Sequence, residues 1–185
     1  VKVLKLSAQG LPQSWISLEE AVLHYAADEV RWELGAEVAV FHGGHNAVTG
    51  IQSRVAINSI IGTKGMPRIN PFALRPALTN AKLFARDRGV CAYCGTHGHE
   101  HELTREHIRP LAQQGQDVWM NVVTACRGCN SRKGNRTPEQ ARMPLLYAPY
   151  VPNLWEDFIL RNRRILADQM AFLTAHLPEH SRLHG

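Results

Sequence analysis

Four cysteines stand in two Cys-x-x-Cys pairs, Cys91-Ala-Tyr-Cys94 and Cys126-Arg-Gly-Cys129. Each spacing lets one tight turn aim two thiolates at a common ion, and two such turns complete a tetrahedral four-sulfur shell with no open position. Two disulfides or a redox pair are the competing readings. The doubled spacing, with Gly95 and Gly128 relieving the turns, favours a structural zinc ion. Residues 95–125 separate the pairs, more than a simple zinc ribbon needs, so a folded element is expected between them.

That segment and its flank carry Glu106-His107, Pro110, Gly115, Asn121-Val-Val, Asn130 and Lys133-Gly134. Taken alone, Glu106-His107 reads as an ordinary surface pair on a hairpin, and Asn121 as a turn residue ahead of a strand. A neutral imidazole is nevertheless able to deprotonate water near physiological pH. From Cys126 to Arg136 there is no acidic residue. Arg127, Arg132, Lys133 and Arg136 are therefore expected to form a phosphate-binding face rather than only a solvated basic one.

This succession resembles the zinc-stapled HNH endonucleases with the ββα-metal motif. Leu83-Phe-Ala-Arg-Asp87 ahead of the first cysteine resembles stand-alone prokaryotic members. So does Asn130-Ser-Arg-Lys-Gly-Asn-Arg-Thr-Pro-Glu-Gln-Ala141 after the last, and the opening strand and helix match more loosely. The resemblance implies a metal-dependent endonuclease that hydrolyses phosphodiester bonds in nucleic acid, with DNA as the expected partner. It implies His107 as general base, oriented by Asn121, and Glu106 and Asn130 as ligands of a catalytic Mg²⁺ or Mn²⁺. The family more often carries Asp where Glu106 stands, and Glu is one methylene longer. Neighbours in a regular strand face opposite sides, so the strand must bend or end near Pro110 for Glu106 and His107 to reach one site. Two alternatives stand beside the enzyme. One is a non-catalytic zinc-stapled nucleic-acid-binding module, the other a zinc-linked interaction domain docking through a C-terminal helix.

Several elements must position these groups. Residues 103–110 read as a strand ending in a turn, residues 114–117 as a loop, and residues 121–125 as a return strand, which makes a hairpin held at its ends by zinc. A short helix is expected from Asn130 to Lys133. Ahead of the cysteines a helix over residues 80–88 is capped by Thr79, and beyond them Thr137-Pro-Glu-Gln140 opens another with a capping box. Ser17 with Glu20 marks a further capping box, and Val1 to Leu6 an opening strand. Residues 37–41 read as a short strand, and residues 53–61 as a strand or a short helix. Gly62, Gly65, Pro67, Pro71 and Pro76 break the chain over residues 62–78. From Asn153 to about Leu177 one long amphipathic helix is expected, a candidate surface for a homodimer.

The fold class expected is α+β: a ββα-metal HNH core on a four-cysteine zinc site, with a small N-terminal α/β unit and a long C-terminal helix. The corresponding domains are residues 1–78, 79–143 and 144–185. Composition agrees with a folded chain, 44% hydrophobic and 20% charged. Lys and Arg outnumber Asp and Glu by 21 to 16, a net charge of +5 that suits a polyanionic partner. Apolar runs such as residues 36–41 fall far short of the roughly 20 residues a bilayer requires, so no membrane span and a cytoplasmic location are expected. His97, His99 and His101 read as a polar loop more than a metal site, and Trp15, Trp32, Trp119 and Trp155 as core.

Overall fold

The computed structural model describes residues 1–65 and 75–184, so Pro67 and Pro71 of the connector lie outside the described residues. The chain divides into two units: Val1–Leu74 with Asn162–His176, and Arg75–Arg161 with Leu177–Gly185.

The first unit is a four-stranded sheet with helices. Strands β1 (Val3–Ser7) and β2 (Pro12–Ile16) form a hairpin, helix α1 (Leu18–Ala26) follows, and β3 (Val30–His45) and β4 (Gln52–Thr63) form a second, longer hairpin. The order is β2-β1-β4-β3, with β1 parallel to β4 and the other pairs antiparallel. Ser17 caps α1 by accepting the Glu20 N–H at 3.1 Å, and Glu20 accepts the Ser17 N–H at 2.8 Å. This satisfies two backbone donors that the first helical turn leaves open. Val3, Ile16, Ile57, Ile61 and Ala21 of α1 form the core. Ile60 and Leu4, buried as well, alternate with these to the opposite face. From Ile57 onward β4 is largely buried on both faces, and a strand so placed loses the period-two signal that would separate strand from helix over residues 53–61. The strand expected over residues 37–41 is much longer because pairing with β4, not apolar alternation, sets its extent.

The expected single C-terminal helix is two. Helix α5 (Leu154–Arg161) belongs to the second unit and α6 (Ala167–Thr174) to the first. Asn162 Oδ1 accepts the Arg164 N–H at 3.1 Å, a local bond that competes with helix propagation, and Gln169 Oε1 accepts the Leu166 N–H at 3.1 Å to start the next helix. The apolar stripe runs through both segments in sequence and so hides the break. Leu154, Phe158 and Leu160 are buried in α5 and Leu173 in α6. Trp155, Ile159, Ile165, Leu166 and Met170 of the same stripe are half-buried. Among the described residues no helix is long and apolar enough to cross a membrane.

In the second unit, helix α2 (Asn80–Arg86) is capped by Thr79, which accepts the Lys82 N–H. Antiparallel strands β5 (Leu103–His107) and β6 (Val122–Cys126) follow, then α3 (Arg127–Lys133), the single turn α4 (Pro138–Ala141) and α5. Two strands alone are marginal. Here the free edge of β6 is occupied by side chains. Arg86, fully buried, donates from Nε and Nη2 to the Asp87 carboxylate at 2.8 and 3.1 Å. Its remaining donors go to the carbonyls of Val122 at 2.9 Å, Trp119 at 3.1 Å and Tyr150 at 2.8 Å. Every guanidinium N–H is thereby used. Asp87 in turn accepts the Thr124 N–H at 2.8 Å and Arg182 Nη2 at 2.9 Å. Replacing Arg86 with Ala should therefore lower unfolding stability by about 3–5 kcal/mol, because buried Asp87 keeps only Arg182 as a cationic partner and three carbonyls lose their donor. Arg86→Lys should recover only part of it. Denaturant titration of the three proteins checks this.

Candidate active site and metal centre

The last turn of α2 leads directly into Cys91. The turn from Cys91 closes with the Gly95 N–H donating to the Cys91 carbonyl at 2.9 Å, and Gly95 takes a φ of +75° that a side chain would disfavour. On the other side, Cys126 ends β6 and caps α3, its Sγ accepting the Cys129 N–H at 3.4 Å. The four sulfurs lie within 4.8 Å of one another, with Cys94 and Cys126 at 3.9 Å, and all four cysteines are free. A tetrahedron with metal–sulfur bonds of about 2.3 Å has edges of about 3.8 Å. Thr96, through its hydroxyl and backbone, pulls the Cys94 thiol down to about 6, whereas burial and the Cys126 thiol push Cys129 up. Four thiols this close cannot all ionise without a cation among them. The donor set and spacing fit a thiophilic metal ion such as zinc. Among the described residues this is the sole group of three or more His, Cys, Asp or Glu side chains within reach of one ion. The loop histidines form no such group, and the rings of His99 and His101 stack at 5.8 Å.

The hairpin carries the second set of residues. β5 and β6 are in register with Leu103 opposite Cys126, Glu106 opposite Val123 and His107 opposite Val122. Helix α3 covers the face of β5 that presents Thr104 and Glu106. Asn130 Nδ2 donates to Thr104 Oγ1 at 2.8 Å, and Lys133 Nζ donates to Glu106 Oε1 at 2.6 Å and to the His107 carbonyl at 2.9 Å. Glu106 is only 5% exposed; burial raises its pKa and Lys133 opposes that rise. His107 goes the other way. Its Nε2 lies 2.9 Å from Asp117 Oδ1, and 19% of the side chain is exposed. Asp117 Oδ2 accepts from Arg105 Nη1 at 2.5 Å, and Arg105 Nε donates to Asn80 Oδ1 at 2.9 Å. Strand alternation thus separates Glu106 and His107, although β5 does end at His107.

Asn121 does not hold the imidazole. Its Oδ1 accepts the Arg109 N–H at 2.9 Å, and its Nδ2 donates to the carbonyls of Arg109 at 3.0 Å and Gln116 at 2.8 Å. The Ile108 N–H donates to the Asn121 carbonyl at 2.8 Å. The residue ties the start of the loop to its end and so sets where Asp117 sits. Gly115 completes the closure: a Cβ there would lie 1.9 Å from the Arg109 carbonyl oxygen.

Of the four basic residues expected to face phosphate, Arg127, Arg132 and Arg136 are exposed. Arg136 also donates to the Lys133 and Arg132 carbonyls at the end of α3. Lys133 is a correction. It is fully buried with its ammonium on Glu106, so it is no part of a surface phosphate track.

The Glu106 carboxylate and the Asn130 amide oxygen are hard donors of the kind a divalent ion takes. They sit on the same β5–α3 interface, and Asn130 turns its nitrogen to Thr104. They fit such an ion as a weak site, because Lys133 already holds one Glu106 oxygen. Sequence reasoning passed over Asp117 and Arg105 as site residues. Within the polar run Gln114-Gly115-Gln116-Asp117, a carboxylate aimed back at the strand looks the same as one stabilising a turn.

Two outcomes follow. Cys126→Ser should lower metal content and melting temperature through the lost thiolate alone, since a serine hydroxyl still caps α3 but is a poor ligand for a thiophilic ion. Metal content and thermal unfolding on the same sample test it. Gly115→Ala should leave metal content unchanged yet open the loop, costing about 1–3 kcal/mol through the forced backbone shift. Accelerated amide exchange at Arg109 and Gly115, whose N–H groups bond across the loop, is the readout.

Residues 91–146 match the model of a family described as HNH endonuclease. No curated protein matches the chain. The matched segment begins at the first cysteine and spans both pairs, Glu106, His107, Asn121 and Asn130. Over residues 91–146 the chain is therefore similar to the HNH endonuclease family.

Proposed function

We propose that residues 79–143 form the nuclease core of an enzyme that hydrolyses phosphodiester bonds in DNA, with His107 as general base. Residues 1–78 and 144–185 would be its flanking regions. The observation that carries this reading is the partly exposed imidazole at the end of β5, in a hairpin whose far end meets four clustered cysteines. His107 removes a proton from water as the water oxygen forms its bond to phosphorus. The opposite P–O bond breaks, and the departing oxygen takes a proton from solvent. Arg127 and Arg132 hold the nucleic-acid backbone through its phosphates. Glu106 and Asn130 would hold a divalent ion, Mg²⁺ or Mn²⁺, which when bound stabilises charge on the phosphate and on the departing oxygen. Zinc at the four cysteines would be structural, since four thiolates leave no position for substrate.

Plasmid cleavage in Mg²⁺ or Mn²⁺ tests the reading. His107→Ala should lower the rate by about a hundredfold to ten-thousandfold while metal content and melting temperature stay unchanged. Near wild-type cleavage by that variant removes His107 from the base role. A wild-type protein that binds DNA without cutting it supports the non-catalytic zinc-stapled binding module instead. Arg127→Ala and Arg132→Ala should each weaken binding and reduce the salt slope by about one.

A further inference from the structure

We infer that Asp117 is a positioning residue for His107: its carboxylate fixes the tautomer and direction of the imidazole so that Nδ1 presents its lone pair outward. This rests on the reading of His107 as the general base. A neutral imidazole has one N–H and one lone pair, and a carboxylate only accepts. With Nε2 2.9 Å from Asp117 Oδ1, the proton sits on Nε2 and the basic lone pair on Nδ1. Among the described residues Asp117 is the hydrogen-bond partner of the ring, since Asn121 bonds only to backbone.

Asp117 is itself held from two directions, which distinguishes it from a chance surface pair. Its second oxygen accepts from Arg105, and Arg105 is anchored on Asn80 at the first position of α2. The line Asn80–Arg105–Asp117–His107 therefore runs from a helix terminus to the imidazole, with each link 2.5–2.9 Å long. The backbone beside Asp117 is fixed as well, because the Gln116 carbonyl accepts from Asn121 and Gly115 permits the loop to close on Arg109. Asp117 remains 48% exposed, so its side chain contributes little packing and its replacement spares the fold.

The test uses the full chain, zinc-loaded and ¹⁵N-labelled, at a pH where His107 is neutral. Long-range proton–nitrogen correlation spectra report which ring nitrogen carries the proton. Wild type should show a single Nε2–H tautomer, and Asp117→Ala and Asp117→Asn a mixture of both. At saturating plasmid, Asp117→Ala should cut about tenfold to a hundredfold more slowly than wild type, a smaller loss than for His107→Ala. Its zinc content and melting temperature should be unchanged. An unaltered Nε2–H tautomer in Asp117→Ala overturns the inference, as does an unaltered cleavage rate. The tautomer readout needs no activity, so a wild type that fails to cut overturns the base reading of His107 and leaves the Asp117–His107 link separately decided.

Discussion

The second unit depends on one buried ion pair between sequence neighbours. Arg86 and Asp87 end a helix, yet between them they bond to Val122, Thr124, Trp119, Tyr150 and Arg182. A two-stranded hairpin has two free edges and too little apolar area to hold itself together. The guanidinium and carboxylate act as a substitute third strand for β6, complemented by the Ala92 N–H donating to the Thr124 carbonyl at 2.8 Å. Because the acceptors are backbone atoms, the pair fixes the position of the strand and not merely that of a side chain. Register then carries the constraint across the hairpin, from Val122 to His107 and from Cys126 to Leu103.

Glu106 and His107 divide the hairpin into two chemical faces. On one, Glu106, Lys133, Asn130 and Thr104 make a closed polar layer beneath α3. On the other, His107, Asp117 and Arg105 make a more open one. Lys133 joins them, because its ammonium bonds both to the Glu106 carboxylate and to the His107 carbonyl. Any cation arriving at Glu106 would meet a charge already compensated, which favours loose binding with most coordination left to water and phosphate oxygens.

Local chemistry was legible in the sequence, and long-range pairing was not. The capping boxes at Ser17 and Thr137, the Thr79 cap and the two cysteine turns are each written within a few residues, and each forms as read. Asp117 beside His107, Lys133 beneath Glu106 and Arg86 along β6 depend on register and on which face a helix covers. Periodicity does not carry that information. Lys133 illustrates the difference. A lysine in a basic run reads as solvated because burial of an ammonium is costly, and only the carboxylate at position 106 reverses that balance. The long C-terminal helix failed for the opposite reason, since apolar periodicity persists through a segment where Asn162 competes for the backbone.

The chain passes back and forth between its units, and this bears on the order in which they form during synthesis. When a nascent chain has emerged as far as Arg161, every strand of the first sheet and the whole cysteine cluster are already outside the ribosome. Neither unit is yet complete. The first still lacks Asp168, which accepts from Ser59 and the Ala36 N–H, and Gln169, which donates to the Lys2 and Ser59 carbonyls. The second lacks Ser181, bonded to Glu156 at 2.6 Å, and Arg182 on Asp87. Each unit therefore closes only once these later residues follow, and the hairpin with its cysteines is made before the residues that close around it.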